Sequence, residues 1–249
     1  MGKPTEERAT DRAERQLIEQ ILSGAFPSNT DLPGERTLSK SLDVARPALR
    51  EAMQRLSRDG WLEIQQGRPT RIIDYLKDGN LNILTGLLKA DPGLAPNLVP
   101  NLLEVWMLLA PQYTASSARR APGLIIDLLE ELARLPDEAE AYAAGMWKLH
   151  RALTAYCDNV VYGLLFNTFE DFYRQLAVRY YALAEHRQRA RDLWAEMIAS
   201  IEAHDEKAAA RLIHTLISNT AEFWRNAPAP EPQTSNQEHV DDDRPTDQP

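Results

Sequence analysis

The sequence predicts a mostly α protein in two parts, an N-terminal winged helix-turn-helix domain and an all-α helical bundle behind it. Three observations carry that prediction. Between Leu32 and Ile73 two short helical patterns flank a break, and two strand-like runs then face each other across Gln66-Gly67. Beyond Leu81 every patterned segment has apolar residues at helical spacing, and none alternates as a strand would. The breaks among those segments are short: Asp91-Pro92-Gly93, Ala121-Pro122-Gly123, Leu135-Pro136, Asp158-Asn159 and His204-Asp205. Short loops between long helices are the pattern of a bundle.

The elements follow in order. Residues 6–24 read as a helix with Ala9, Ala13, Leu17, Ile18, Ile21 and Leu22 on one side, stopped at Ser23-Gly24. Pro27 and Pro33 punctuate the next loop. A short helix over 35–42 ends at Leu42-Asp43-Val44. The helix over 45–58 then repeats apolar residues at Leu49, Met53 and Leu56, one buried stripe. Arg46 and Arg50 share a different face, and Pro47 sits in the first turn, where a missing N–H costs nothing. The hairpin runs through Trp61–Ile64 and Thr70–Ile73, with Arg68 at its tip. We assign residues 1–74 to the winged domain, 75–80 to a connector, 81–226 to the helical domain and 227–249 to an acidic tail expected to be disordered. Within the helical domain the patterns cover 81–88, 97–118, 123–135, 138–156, 161–183, 185–203 and 206–225, with Asp205 as an N-cap.

Charge points to a partner. From Arg36 to Arg71 eight Lys or Arg face four Asp or Glu, a local +4 in a chain whose net charge is −9. A basic face concentrated on an acidic protein fits contact with phosphates. Arg46 and Arg50 on the first turns of a helix suit entry into the major groove, Arg36 suits a backbone contact, and Gln66, Gly67 and Arg68 bring the hairpin tip to a groove. The expected partner is double-stranded DNA. The only cysteine, Cys157, excludes an intramolecular disulfide and fits a reducing compartment. Met1 to Gln20 is charged throughout, unlike a signal peptide, and no apolar run approaches the ~20 residues of a membrane helix. A cytoplasmic location without a membrane partner is expected.

Catalytic chemistry is not legible. Cys157-Asp158 has no neighbouring His, and there is no Gly-rich phosphate loop, nucleophile elbow or paired-carboxylate motif. No catalytic residue and no cofactor are expected.

The residues also carry a resemblance. Leu32-Pro33-x-Glu35-Arg36, Leu38, Val44-x-Arg46, Leu49-Arg50-Glu51 and Leu56 resemble the GntR family. Arg58-Asp-Gly-Trp-Leu62, Ile64-Gln65, Gly67, Pro69-Thr70, Leu81-Asn-Ile-Leu84, Asn101-Leu-Leu103 and Tyr162-Gly-Leu164 are similar to its acyl-CoA-responsive FadR group, as far as Trp224. That resemblance implies a homodimer on a palindromic operator, released when long-chain fatty acyl-CoA binds the helical effector domain, and control of fatty acid metabolism. It implies operator contacts at Arg36, Arg46, Arg50, Gly67 and Arg68. Ala45 and Pro47 stand where the family has hydroxyl residues, so an N-cap and a phosphate contact are lost. It implies Tyr180, Thr220 and Trp224 around the ligand, with Leu102 and Leu103 in an apolar tunnel. Trp106 replaces an arginine there and Ile217 a glycine. The lysine the family has just past Trp224 is missing, which leaves Arg225 as the available cation. These departures keep open a GntR-type regulator sensing a different small molecule.

Many relatives with this effector fold hold a metal through an Asp and three His. The corresponding positions here read Met146, His150, Trp194 and Leu216, one ligand of four. No metal is expected, and His150 reads as a buried structural histidine.

Overall fold

The structure, a computed structural model, describes residues 8–90 and 97–226. The Asp91–Gly93 break and the acidic tail at 227–249 lie outside the described residues.

Helix α1 (Ala9–Leu22) buries Ala13, Leu17, Ile18 and Ile21 against α3 (Arg46–Asp59), whose own stripe of Leu49, Ala52, Met53 and Leu56 is equally dry. Helix α2 (Glu35–Ser41) contributes Leu38 to the same core. The turn between α2 and α3 is held open by side chains rather than by glycine. Asp43 takes a left-handed φ of 49°, Arg12 Nη2 donates to its carbonyl at 2.8 Å, and Ser39 Oγ donates to the Val44 carbonyl at 2.7 Å. Gly60, at φ 94°, stops α3 and sends its N–H back to the Leu56 and Ser57 carbonyls.

The hairpin strands are shorter than their sequence runs. β1 (Leu62–Glu63) pairs antiparallel with β2 (Arg71–Ile72), Leu62 facing Ile72. The loop after α1 takes up further backbone groups of the second run. Asn29 N donates to the Ile72 carbonyl at 2.8 Å, Ile72 N to Thr30 at 2.9 Å, and Leu32 N to Thr70 at 2.8 Å. The wing is therefore stitched to the start of the helix-turn-helix, a pairing that hairpin periodicity does not reveal.

The connector forms α4 (Tyr75–Asp78), whose Tyr75 ring lies 5.1 Å from that of Trp61. Helix α5 (Asn82–Lys89) follows. On sequence its residues group with the helical domain, yet Ile83 and Leu87 pack into the winged core while Leu84 packs on the bundle core. Gly86 makes this possible. A Cβ there would stand 2.8 Å from the Trp61 ring nitrogen and 3.0 Å from Ile18 Cδ1.

The bundle comprises α6 (Leu98–Arg120), α7 (Pro122–Leu132), α8 (Ala139–Tyr156), α9 (Val160–Asn167), α10 (Glu170–Tyr181), α11 (Ala184–Glu202) and α12 (Glu206–Asn226). The longest helices, α6 and α12, pack along each other, with α8 between α6 and α10 and α11 laid on α12 and α7. Asp205 caps α12, its Oδ1 accepting from Ala208 N at 2.8 Å. One expectation is corrected. The pattern over 161–183 is two helices, α9 and α10, separated by a tight turn at Thr168-Phe169 in which Phe169 N donates to the Phe166 carbonyl at 3.0 Å. No described helix is long and apolar enough to cross a membrane.

Candidate nucleic-acid interface and ligand cavity

All eight residues expected at DNA are exposed: Arg36, Ala45, Arg46, Pro47 and Arg50 on the helix-turn-helix, and Gln66, Gly67 and Arg68 on the wing. The scaffold beneath them explains their placement. Arg12 braces the turn, and Arg55 ties α3 to α1 through Asp11 at 2.9 Å and to Glu51 at 2.6 Å, on a different side of α3 from Arg46 and Arg50. Arg50 is oriented by Glu35, its Nε donating to the carboxylate at 2.7 Å. Arg36 and Arg46 have no ion-pair partner among the described residues. Arg68 Nη1 donates to Gln65 Oε1 at 3.0 Å, and Gly67, at φ 76°, gives the wing tip a left-handed bend that side chains rarely adopt. Ala45 is extended and makes no side-chain cap, as its lack of a hydroxyl predicts. This face can lay cations and a backbone edge on phosphates and place two guanidinium groups against base edges.

The second site lies inside the bundle. A slot between α6, α8, α10 and α12, reaching the start of α10 at Phe169, holds a cavity of about 80 Å³. All seven residues expected around a ligand line it: Leu102, Leu103 and Trp106 from α6, Tyr180 from α10, and Ile217, Thr220 and Trp224 from α12. The outer end, at Val99 and Trp224, is half-buried; the inner end, at Tyr113 and His150, is fully buried.

Its polar groups are few. Tyr180 is 2 % exposed, its ring stacked on His186 at 3.9 Å and met edge-on by Phe223 at 5.3 Å. His186 in turn bonds the Tyr180 carbonyl at 2.7 Å, so the tyrosine is held from both sides. Its hydroxyl has no hydrogen-bond partner. Thr220 and Arg189 lie near enough to ease its ionisation, but neither meets hydrogen-bond geometry with it; Thr220 Oγ1 donates to the Leu216 carbonyl at 2.9 Å. Burial nonetheless pushes the Tyr180 hydroxyl up, so it stays a neutral donor. An orphaned buried hydroxyl in an apolar slot is a group that a ligand oxygen would satisfy. At the mouth Arg179 lies over the Trp224 ring at 5.1 Å, and Arg225 reaches Glu104 at 3.3 Å.

Apart from His150, read from sequence as a buried histidine, the inner end was not marked in the sequence. Tyr113 OH meets His150 Nδ1 at 2.9 Å, with Phe166, Phe169 and Tyr173 closing around them. Nothing in their spacing separates them from ordinary core. Burial alone lowers His150 to about 4, which makes it a neutral imidazole. Of the four positions that the sequence reading set against a metal site, Met146, His150 and Leu216 line the slot, and Trp194 donates its indole N–H to Met146 Sδ at 3.3 Å. Thioether, indole and leucine cannot replace an Asp and two His, and no metal-ligating cluster occurs among the described residues. Cys157 is buried, its Sγ 3.2 Å from the Thr154 carbonyl.

A basic winged helix-turn-helix joined to a helical domain with an internal apolar slot defines a DNA-binding transcription regulator. The chain belongs to the GntR family of bacterial regulatory proteins, matched over residues 9–72, and carries the FadR C-terminal domain over residues 73–234. A fatty acid metabolism regulator protein of Shewanella amazonensis is 32% identical over 91% of this chain and 94% of its own length. One of Pectobacterium atrosepticum is 36% identical over 78% of this chain and 82% of its own. Among solved structures, Lar, which controls expression of the Listeria monocytogenes agr system, matches with a TM-score of 0.56 at 13% identity over 90% of this chain and 100% of its own, a likeness of fold. These sequence relatives are regulators, not enzymes.

Proposed function

We propose that the protein regulates fatty acid metabolism genes as a cytoplasmic homodimer on a palindromic operator, and that a fatty acyl-CoA entering the helical domain releases it. Arg36, Arg46, Arg50 and the wing tip at Gln66–Arg68 contact the operator; Ala45 and Pro47 lie against it without a hydroxyl to offer. The observation that carries the effector reading is the unpartnered Tyr180 hydroxyl in the wall of a slot lined by Leu102, Leu103, Ile217, Thr220 and Trp224. An acyl-CoA supplies what that wall lacks: a methylene chain, each buried carbon contributing ~0.8 kcal/mol, and a thioester carbonyl for the hydroxyl.

Release follows from α5. Its Leu84 rests on the bundle core and its Ile83 and Leu87 on the winged core, so a ligand that shifts the bundle loads Trp61 through Gly86. The test is to select a palindromic duplex by in vitro enrichment, bind it to full-length protein, and titrate acyl-CoAs of increasing length while following fluorescence anisotropy. Release at micromolar acyl-CoA is the expected result. If no length releases the duplex, the effector is a different small molecule, a reading that the bulk of Trp106 and Ile217 in the slot favours.

A further inference from the structure

The slot is long but thin. Its lining runs along α6 from Val99 to Tyr113, and that span of fourteen residues at ~1.5 Å each is about 21 Å. Yet its cavity is only about 80 Å³. Trp106 stands midway, seven residues from either end. Its indole is 8% exposed and meets Phe166 edge-on at 5.3 Å and Phe169 at 5.7 Å. Phe166 is pinned in turn, stacked on Trp147 at 4.2 Å and packed on His150 at 5.3 Å. The break between α9 and α10 lets both phenyl rings reach the indole. A side chain braced this way does not swing aside without unpacking a dense aromatic cluster.

We infer that Trp106 is the stop that sets acyl length, and that the protein's preferred effector carries a medium chain. This rests on the acyl-CoA reading above. The outer half of the slot spans about 10 Å of helix. An extended alkyl chain advances ~1.3 Å per carbon, given single bonds of ~1.5 Å, so that half matches about eight carbons in length. The inner half would take a comparable further length, which on this inference the braced indole denies to the chain. Its far end, the Tyr113–His150 pair, already has its hydrogen bond.

The experiment measures binding of acyl-CoAs from four to eighteen carbons to the full-length protein by calorimetry, alongside Trp106→Ala and Trp106→Leu. In the native protein affinity rises about fourfold per added carbon as far as the stop, which is ~0.8 kcal/mol per methylene, and then falls at least tenfold by sixteen carbons. Trp106→Ala moves the optimum to longer chains, and Trp106→Leu, which keeps the core filled, moves it part of the way. A native protein that binds sixteen carbons as tightly as eight overturns the inference and leaves the acyl-CoA reading standing. So does an optimum that neither variant shifts. Failure of every length to bind native protein and both variants defeats the acyl-CoA reading itself, and this inference with it. Should Trp106→Ala fail to fold, the native length profile and Trp106→Leu decide.

Discussion

The winged core and the bundle core use the same kinds of residue for opposite ends. In the winged part the apolar side chains of α1, α2 and α3 close on each other completely, Leu17, Leu38, Leu49 and Trp61 all at most 1% exposed, and the chemistry is carried on the outside by arginines. In the bundle the chemistry lies inside, along a slot whose wall keeps an unpartnered Tyr180 hydroxyl and a neutral His150. A surface that reads DNA needs a rigid support. A cavity that receives a ligand needs imperfect packing, and it gives up some stability to have it. Helix α5 belongs to both.

The largest effect expected is in the winged core. Trp61→Ala removes a side chain 1% exposed that Tyr75, Gly86 and Ile18 pack around, and should cost ~3–5 kcal/mol. Denaturant unfolding followed by circular dichroism should then resolve a weakened winged domain ahead of an unchanged bundle. A single transition displaced as a whole would mean that α5 makes the two cores one cooperative unit.

The bundle should show its own signature in pH. His150 falls from 6.5 unfolded to about 4 folded, so the neutral form is the one folding favours. The corresponding stability is fully present above pH ~6.5 and is lost as pH falls towards 4, about 3 kcal/mol in all. Urea midpoints between pH 7 and 4 should show the loss, and His150→Gln should flatten it. An identical slope in that variant would place the titrating group elsewhere.

On the outer face, Arg46→Ala and Arg50→Ala should each weaken operator binding by about 1–3 kcal/mol in anisotropy titrations, without moving the unfolding midpoint. Unaltered binding would show that α3 is not the reading helix. The smallest change is a gain. Ala45 has the extended backbone of an N-cap but no hydroxyl, and Pro47 leaves Ala48 N–H as the group to cap. Ala45→Ser should stabilise the domain by ~0.5–1 kcal/mol, readable as a rise in Tm.

The two halves were also unequally legible. Exposed arginines on a short amphipathic helix stand out because charge and periodicity are local, so Arg36, Arg46, Arg50 and Arg68 could be named from spacing and charge alone. The slot could not. Leu102, Trp106 and Ile217 look like any other core positions, and it took a family resemblance to mark them; Tyr113, Phe166 and Phe169 went unmarked because no pattern distinguishes a wall from a filling. The run from Val161 to Leu183 likewise keeps helical periodicity through Thr168, where the backbone tightens into a turn regardless.

Sequence alone determined which segments coil and which side of each turns inward, because 3.6-residue periodicity, glycine stops and capping carboxylates act over a few neighbours. It also determined where positive charge collects on an acidic chain. Tertiary structure decided the rest: that α5 docks on the winged core through Gly86, that residues 29–32 complete the wing, and that an indole from α6 meets two phenyl rings in the wall of the slot. Those outcomes depend on which surfaces meet, and close packing between distant helices is a property of shapes in contact rather than of any one stretch of chain.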